Sequence, residues 1–158
     1  MTGELRQRKG DRPATTPTNP HSQLDQNAPE GLQEILWLRM AGLRGVETGH
    51  SLVSVPGARA IFVGDAEPCC MHCCMEGREF AHIHPREDGS LHVVLPARLR
   101  AEAFEKSWAE PHPLVKRGLV PECVVMLYGP RDREELETVW SLVLASHDYA
   151  TGGIADSQ

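Results

Sequence analysis

The sequence predicts an α+β fold, a single domain in which an antiparallel sheet of about five strands carries helices packed on one face. Three observations point there. A length of 158 residues suits one hydrophobic core. Four short β-rich runs follow one another with no helical pattern between them, which favours hairpins over parallel crossovers. The segment after Gly129-Pro130 then shows a long apolar stripe at helical spacing, which needs a sheet face to pack on.

Residues 1–28 hold Pro13, Pro17 and Pro20 among polar side chains and almost no large apolar residue, so a disordered tail is expected. From Pro29, Leu32, Ile35, Leu36, Met40 and Leu43 recur at helical spacing, and Gly45 supplies a stop. His50–Val55 and Ala58–Val63 read as a hairpin split by Pro56-Gly57. A loop from Gly64 to Gly77 carries four cysteines, and two further strands are expected at about 79–84 and 90–95, joined by the turn-rich segment from Pro85. Leu99, Ala103, Phe104 and Trp108 mark a helix, and Cys123–Tyr128 a strand. Asp132 with Glu135 three residues on forms a capping box for a last helix striped by Leu136, Val139, Trp140, Val143, Leu144 and His147, which Gly152-Gly153 ends. The domain is expected over 29–153, with a flexible C-terminus at 154–158.

Composition narrows the function classes. A formal charge of −6 argues against a nucleic-acid partner, because phosphate binding rests on clustered Lys and Arg. No apolar run approaches the ~20 residues of a membrane span, and no apolar segment follows the N-terminal basic residues as a secretory signal requires. A cytoplasmic protein with a small-molecule substrate, in a monomer or homo-oligomer, is the expectation. There, five cysteines are thiols or metal ligands rather than a disulfide framework.

The candidate site is a histidine face. Side chains alternate along a strand, so Phe80, His82 and His84 share one side of their strand and His92 and Val94 one side of the next. Pairing His84 with His92 sends every aliphatic residue to the core and brings three imidazoles together on the opposite face. Such a cluster fits a catalytic metal site with an open position and equally an acid/base site in which a neutral imidazole takes a substrate proton. The residues leave both open. Cys70-x-x-Cys73 has the spacing of two ligands of a tetrahedral zinc or copper site, with a redox pair or an incidental loop as alternatives.

The runs Arg78–His84, Ser90–His92, Lys106–Trp108 through His112–Leu114, Leu127–Arg131 with Glu134, and Ala145–Thr151 together resemble the luciferase domain of bioluminescent fungi and its non-luminous relatives. The resemblance covers about residues 46–151. It implies an oxygenase-type chemistry in which a 3-hydroxylated α-pyrone reacts with O₂ without flavin, so no cofactor is required, while zinc or another transition metal is admitted by the residues themselves. Carried over by position, His82, His84, His92 and His112 are candidate bases or polar pocket groups, and Arg131 is a fork for an anionic ring oxygen. Trp108, Tyr128 and Tyr149 are candidate walls for a flat substrate. The chain departs from the luminous pattern at Ser107, where those proteins have Gly, and at Pro111, where they have Arg. A non-catalytic metal- or ligand-binding protein is the rival reading.

Overall fold

The computed structural model describes residues 4–156. Its elements run α1 (Glu30–Ala41), β1 (Val46–His50), β2 (Arg59–Val63), β3 (Glu79–Ile83), β4 (Leu91–Val94), α2 (Ala97–Glu105), β5 (Ala109–Pro111), β6 (Val124–Leu127) and α3 (Arg133–Ala150). The fold is α+β, with six antiparallel strands in the order β1-β2-β3-β4-β6-β5. The strand beyond the expected five is β5, three residues that pair with β6 until Pro111, which has no N–H to extend a ladder. Helices α1 and α3 pack on each other and on one sheet face, and α2 lies against β5.

α3 begins as its sequence requires: Asp132 is the N-cap and its side chain accepts from Glu135 N. Leu136, Val139, Leu142 and Val143 are fully covered against the sheet, while Leu144 lies on the outer side. α1 stops at Gly42, one turn before the expected Gly45.

Three corrections bear on the site. The strand expected at 50–55 lies earlier, at 46–50, because the next residues wrap a buried carboxylate: Ser51 Oγ and Leu52 N donate to Glu79 at 2.7 Å each. The β3–β4 hairpin pairs His82, not His84, with His92. That is a shift of two residues, so the face parity survives and the histidines still meet. Phe80 does not share their face. Ile61 faces Ala81 and Phe62 faces Glu79, which leaves Phe80 as the extra residue of a bulge. Its ring packs 5.7 Å from that of His147 on α3, and Glu79 swings to the histidine side.

The N-terminal segment is also not the expected tail. Leu5, Arg8, His21, Gln23 and Ala28 are buried against the domain. Arg12 donates to Ala109 O at 2.8 Å, Arg8 stacks 5.2 Å from the centre of the Tyr128 ring, and Gln23 accepts from Gly129 N at 3.0 Å. Few apolar groups are spent on this docking; guanidinium, amide and imidazole groups satisfy main-chain polar atoms at the sheet margin instead. At the other end, Asp156 accepts from Ala97 N at 2.7 Å and from Tyr149 Oη at 3.0 Å, which ties down residues expected to be loose. Expectations for residues 1–3 and 157–158 lie outside the described residues.

Candidate functional site

The sheet face turned away from α1 and α3 carries a cavity of about 380 Å³. His82, His84, His92 and His112 all line it, and a fifth imidazole, His21, joins them from the N-terminal segment. Val53, Val55, Leu114, Val120 and Val124 supply apolar walls. All five histidines are buried.

The rings form a hydrogen-bonded chain anchored by a carboxylate at each end. Glu79 Oε2 lies 2.8 Å from His82 Nδ1, His82 Nε2 lies 3.1 Å from His92 Nδ1, and His92 Nε2 lies 2.9 Å from His21 Nδ1. His21 Nε2 then lies 2.8 Å from Glu110 Oε2, and Glu110 also accepts from Tyr128 Oη at 2.8 Å. Each of the four links needs one proton, and two carboxylates with three neutral imidazoles bring only three. The complete chain therefore holds one further proton, and its net charge is a single negative.

The remaining two histidines have tautomers dictated by their neighbours. Ser90 Oγ donates to Asp88 Oδ1 at 2.5 Å, so it accepts from His84 Nδ1, 2.8 Å away. His84 Nε2 thus keeps a lone pair. His112 Nδ1 accepts from Leu114 N at 3.1 Å, so a neutral His112 carries its proton on Nε2. Burial, then the charges of His82, His21 and His112, hold His84 down to about 3. Burial, then His21 and His82, lower His112 to about 4. His92 is held well below the ordinary range by burial first and then by its four histidine neighbours. An imidazole lone pair kept neutral in this way can take a hydroxyl proton or bind a cation.

The other expected site residues lie elsewhere. Trp108 is a core residue whose Nε1 donates to Arg6 O at 2.7 Å. Arg131 is engaged by Glu135, Gln26 and Lys9 O. Tyr128 stands behind Glu110, and Tyr149 is buried beside Asp156. None of the four is among the cavity-lining residues. Cys70 and Cys73, expected as metal ligands, are joined by a disulfide, so in this form their sulfurs bond each other. The cysteine loop packs on the end of α3, where Cys70 N donates to Ala150 O at 2.8 Å. Burial pushes the neighbouring Cys74 thiol up to about 12.

His21, Glu79 and Glu110 escape a reading by strand alternation. Glu79 had one available signal: a carboxylate at i−3 from a strand histidine, in a segment where every other residue is apolar or imidazole. His21 had none beyond being a histidine in a polar, Pro-rich stretch.

Fold and site define an α+β domain whose antiparallel sheet bears helices on one face and a histidine-lined cavity on the other. Residues 77–146 match the family model described as Luciferase domain. Proteins named luciferase are similar to this chain over 76 residues: 40% identical in Neonothopanus nambi, covering 47% of this chain and 28% of that protein. In Armillaria gallica and Armillaria mellea the identity is 38%, with 29% of each relative covered. Over this stretch the chain is similar to fungal luciferases, and the match spans less than a third of the length of these relatives. No solved structure gives a significant match. Among the described residues, no helix is long and apolar enough to cross a membrane.

Proposed function

We propose that this protein is an oxygen-using enzyme that acts, without an organic redox cofactor, on an enolic or hydroxylated aromatic small molecule of the pyrone type. The observation that carries the reading is the paired polarity of the cavity. His84 presents an accepting nitrogen and His112 a donating one, in a space where Val53, Val55, Leu114, Val120 and Val124 supply apolar walls. A hydroxyl beside a ring carbonyl presents the complementary pair, and about 380 Å³ holds a small ring system. The similarity to proteins named luciferase supports this reading, and the oxygen chemistry on such a ring is what the resemblance in sequence implies.

The hydroxyl proton leaves at the imidazole face, the electron pair of the O–H bond stays on oxygen, and the ring becomes electron-rich enough to react with O₂. Residues 19–22 and 53–55 line the cavity alongside His82, His84 and His92, and a substrate seated against them would displace water and strengthen each hydrogen bond made inside. The test is O₂ consumption with a 3-hydroxy-α-pyrone. The wild-type protein should consume O₂, the 3-O-methyl ether should be inert, and His84→Gln should slow uptake ~100-fold or more. Tyr149→Phe, outside the cavity, should leave the rate unchanged. Turnover of the methyl ether, or an unaltered rate in His84→Gln, would end the reading. Tight binding of the pyrone with no uptake would move the protein to the rival class of non-catalytic ligand binders.

A further inference from the structure

We infer that His82, His84 and His92 are the ligands of one divalent first-row transition-metal ion, held at the floor of the cavity with coordination positions open to the substrate. Their ligand atoms lie within 4.8 Å of one another, and all three residues are buried. The decisive feature is the direction of each ring. His82 Nδ1 is tied outward to Glu79, which is fully buried, and turns Nε2 inward. His84 Nδ1 is tied to Ser90, itself braced by Asp88, and turns Nε2 inward. His92 Nε2 is tied to His21, itself braced by Glu110, and turns Nδ1 inward.

Outward partners that fix tautomer and ring plane are how proteins hold metal-binding histidines, and carboxylates behind the rings raise the donor strength of the nitrogens. Each of these three neighbouring rings is tied outward at one nitrogen, and the other nitrogens share one region. His82 Nε2 and His92 Nδ1 stand 3.1 Å apart with one proton between them, and a cation seated there takes both lone pairs and discharges that proton. Glu79 and Glu110, one ring back, offset its charge without occupying its coordination sphere.

Three imidazoles, with no fourth protein ligand grouped with them among the described residues, is the arrangement of a metal that binds substrate rather than one that staples a fold. Imidazole donors suit zinc, iron and copper over magnesium or calcium. The inference rests on reading the cavity as the place of chemistry. With the metal bound, the His84 lone pair is taken up as a ligand, and the metal in its place would bind the hydroxyl and carbonyl oxygens of an enolic substrate, with His112 Nε2–H as a donor beside them.

The test titrates chelator-treated, full-length protein with Zn²⁺ alone by calorimetry, with zinc counted by elemental analysis after gel filtration. One Zn²⁺ per chain is expected. His84→Gln should weaken binding ~100-fold or more, and Glu79→Gln, which leaves all three ligands in place, should weaken it ~10–100-fold. The double variant Cys70→Ser/Cys73→Ser should bind as the wild type does. Circular dichroism reports whether each variant folds, and Zn²⁺ should raise the thermal midpoint of the wild type and of the cysteine double variant alike, and that of His84→Gln far less. Co²⁺ in the unaltered protein gives an answer that needs no variant: imidazole ligation lacks the intense near-ultraviolet thiolate-to-metal band. Absence of saturable Zn²⁺ binding, affinity untouched by Glu79→Gln and His84→Gln, or a thiolate band with Co²⁺ would each overturn the inference. No substrate enters these measurements, so they stand or fall apart from O₂ uptake.

Discussion

Ser107→Gly should stabilise the fold, and the structure gives the size of the effect. α2 is closed by two backbone bonds, Ser107 N to Phe104 O at 3.2 Å and Trp108 N to Ala103 O at 2.9 Å. This double closure requires a left-handed residue just past the helix end, and Ser107 supplies it with φ +68°. A residue with a Cβ costs about 1–2 kcal/mol in that conformation. Glycine removes this cost but gives back about 0.5–1 kcal/mol through its freer unfolded chain. The serine hydroxyl contributes little, because its partner Gln7 Nε2 is 3.4 Å away and also donates to Lys106 O at 3.1 Å. The net gain is about 0.5–1 kcal/mol, or roughly 1–4 °C in midpoint for a domain of this size. Ser107→Ala should be near neutral, and Ser107→Val should lose at least about 1 kcal/mol because branching at Cβ crowds the left-handed backbone. Urea and thermal unfolding of the three variants test the order Gly above Ser, Ser near Ala, Val last. A glycine variant less stable than wild type, or a valine variant equal to it, would show that the turn is not the strained point. The luminous relatives, by the resemblance noted above, have glycine at this place.

Two further outcomes follow from the same coordinates. A Cβ at Gly129 would lie 2.7 Å from Gly89 O and 3.0 Å from Ala28 Cβ, neither of which can swing away, so Gly129→Ala should cost about 1–3 kcal/mol in urea unfolding, and a loss under about 0.5 kcal/mol would refute the packing argument. Burial, then its hydrogen bond to Glu110, pushes the Tyr128 phenol up to about 12, above the ordinary 10; a raised folded pKa means this stabilisation is complete below pH 10 and lost as pH climbs through 12, about 2–3 kcal/mol in all. Tyr128→Phe should remove that share of the alkaline decline in thermal midpoint between pH 9 and 12, and an unchanged decline would show that the phenol is not so held.

How much of the site was legible follows from which rules of local structure were broken. Alternation along β3 and β4 was enough to unite His82, His84 and His92, and it tolerated a register error of two residues because parity is all that the argument uses. It failed at Phe80, where one extra residue reverses the facing of everything before it and delivers Glu79 to the cluster. Nothing in β-propensity distinguishes Leu52-Val53-Ser54-Val55 from a strand; the segment is bent by a carboxylate that needs its Leu52 N–H, a demand set elsewhere in the chain. The N-terminal segment was misjudged for a different reason. Disorder was argued from too little apolar surface, and the segment is held by arginine, glutamine and histidine contacts to main-chain atoms, which composition does not report.

The division of the site along the sequence constrains what the relatives can teach. Glu79, His82, His84, Asp88, Ser90, His92, Glu110 and His112 all fall within the stretch 77–146 that matches the luciferase-domain model. The roof comes from outside it: His21 with its neighbours Asn19, Pro20 and Ser22, and the bend Val53–Val55. On the proposed reading, proton and cation binding rests on the floor, where His82, His84 and His92 converge. Which molecule fits would depend in part on the roof, because Asn19, Pro20, Ser22 and Val53–Val55 line the cavity from outside that stretch. On the same proposed reading, two proteins sharing residues 77–146 can share a reaction type while accepting different rings, and exchanging Asn19, Pro20 and Ser22 should change the Michaelis constant for a pyrone more than the turnover rate. His21 is the exception within the roof: it also orients His92, so His21→Ala should lower the turnover rate as well, where Asn19→Ala should not.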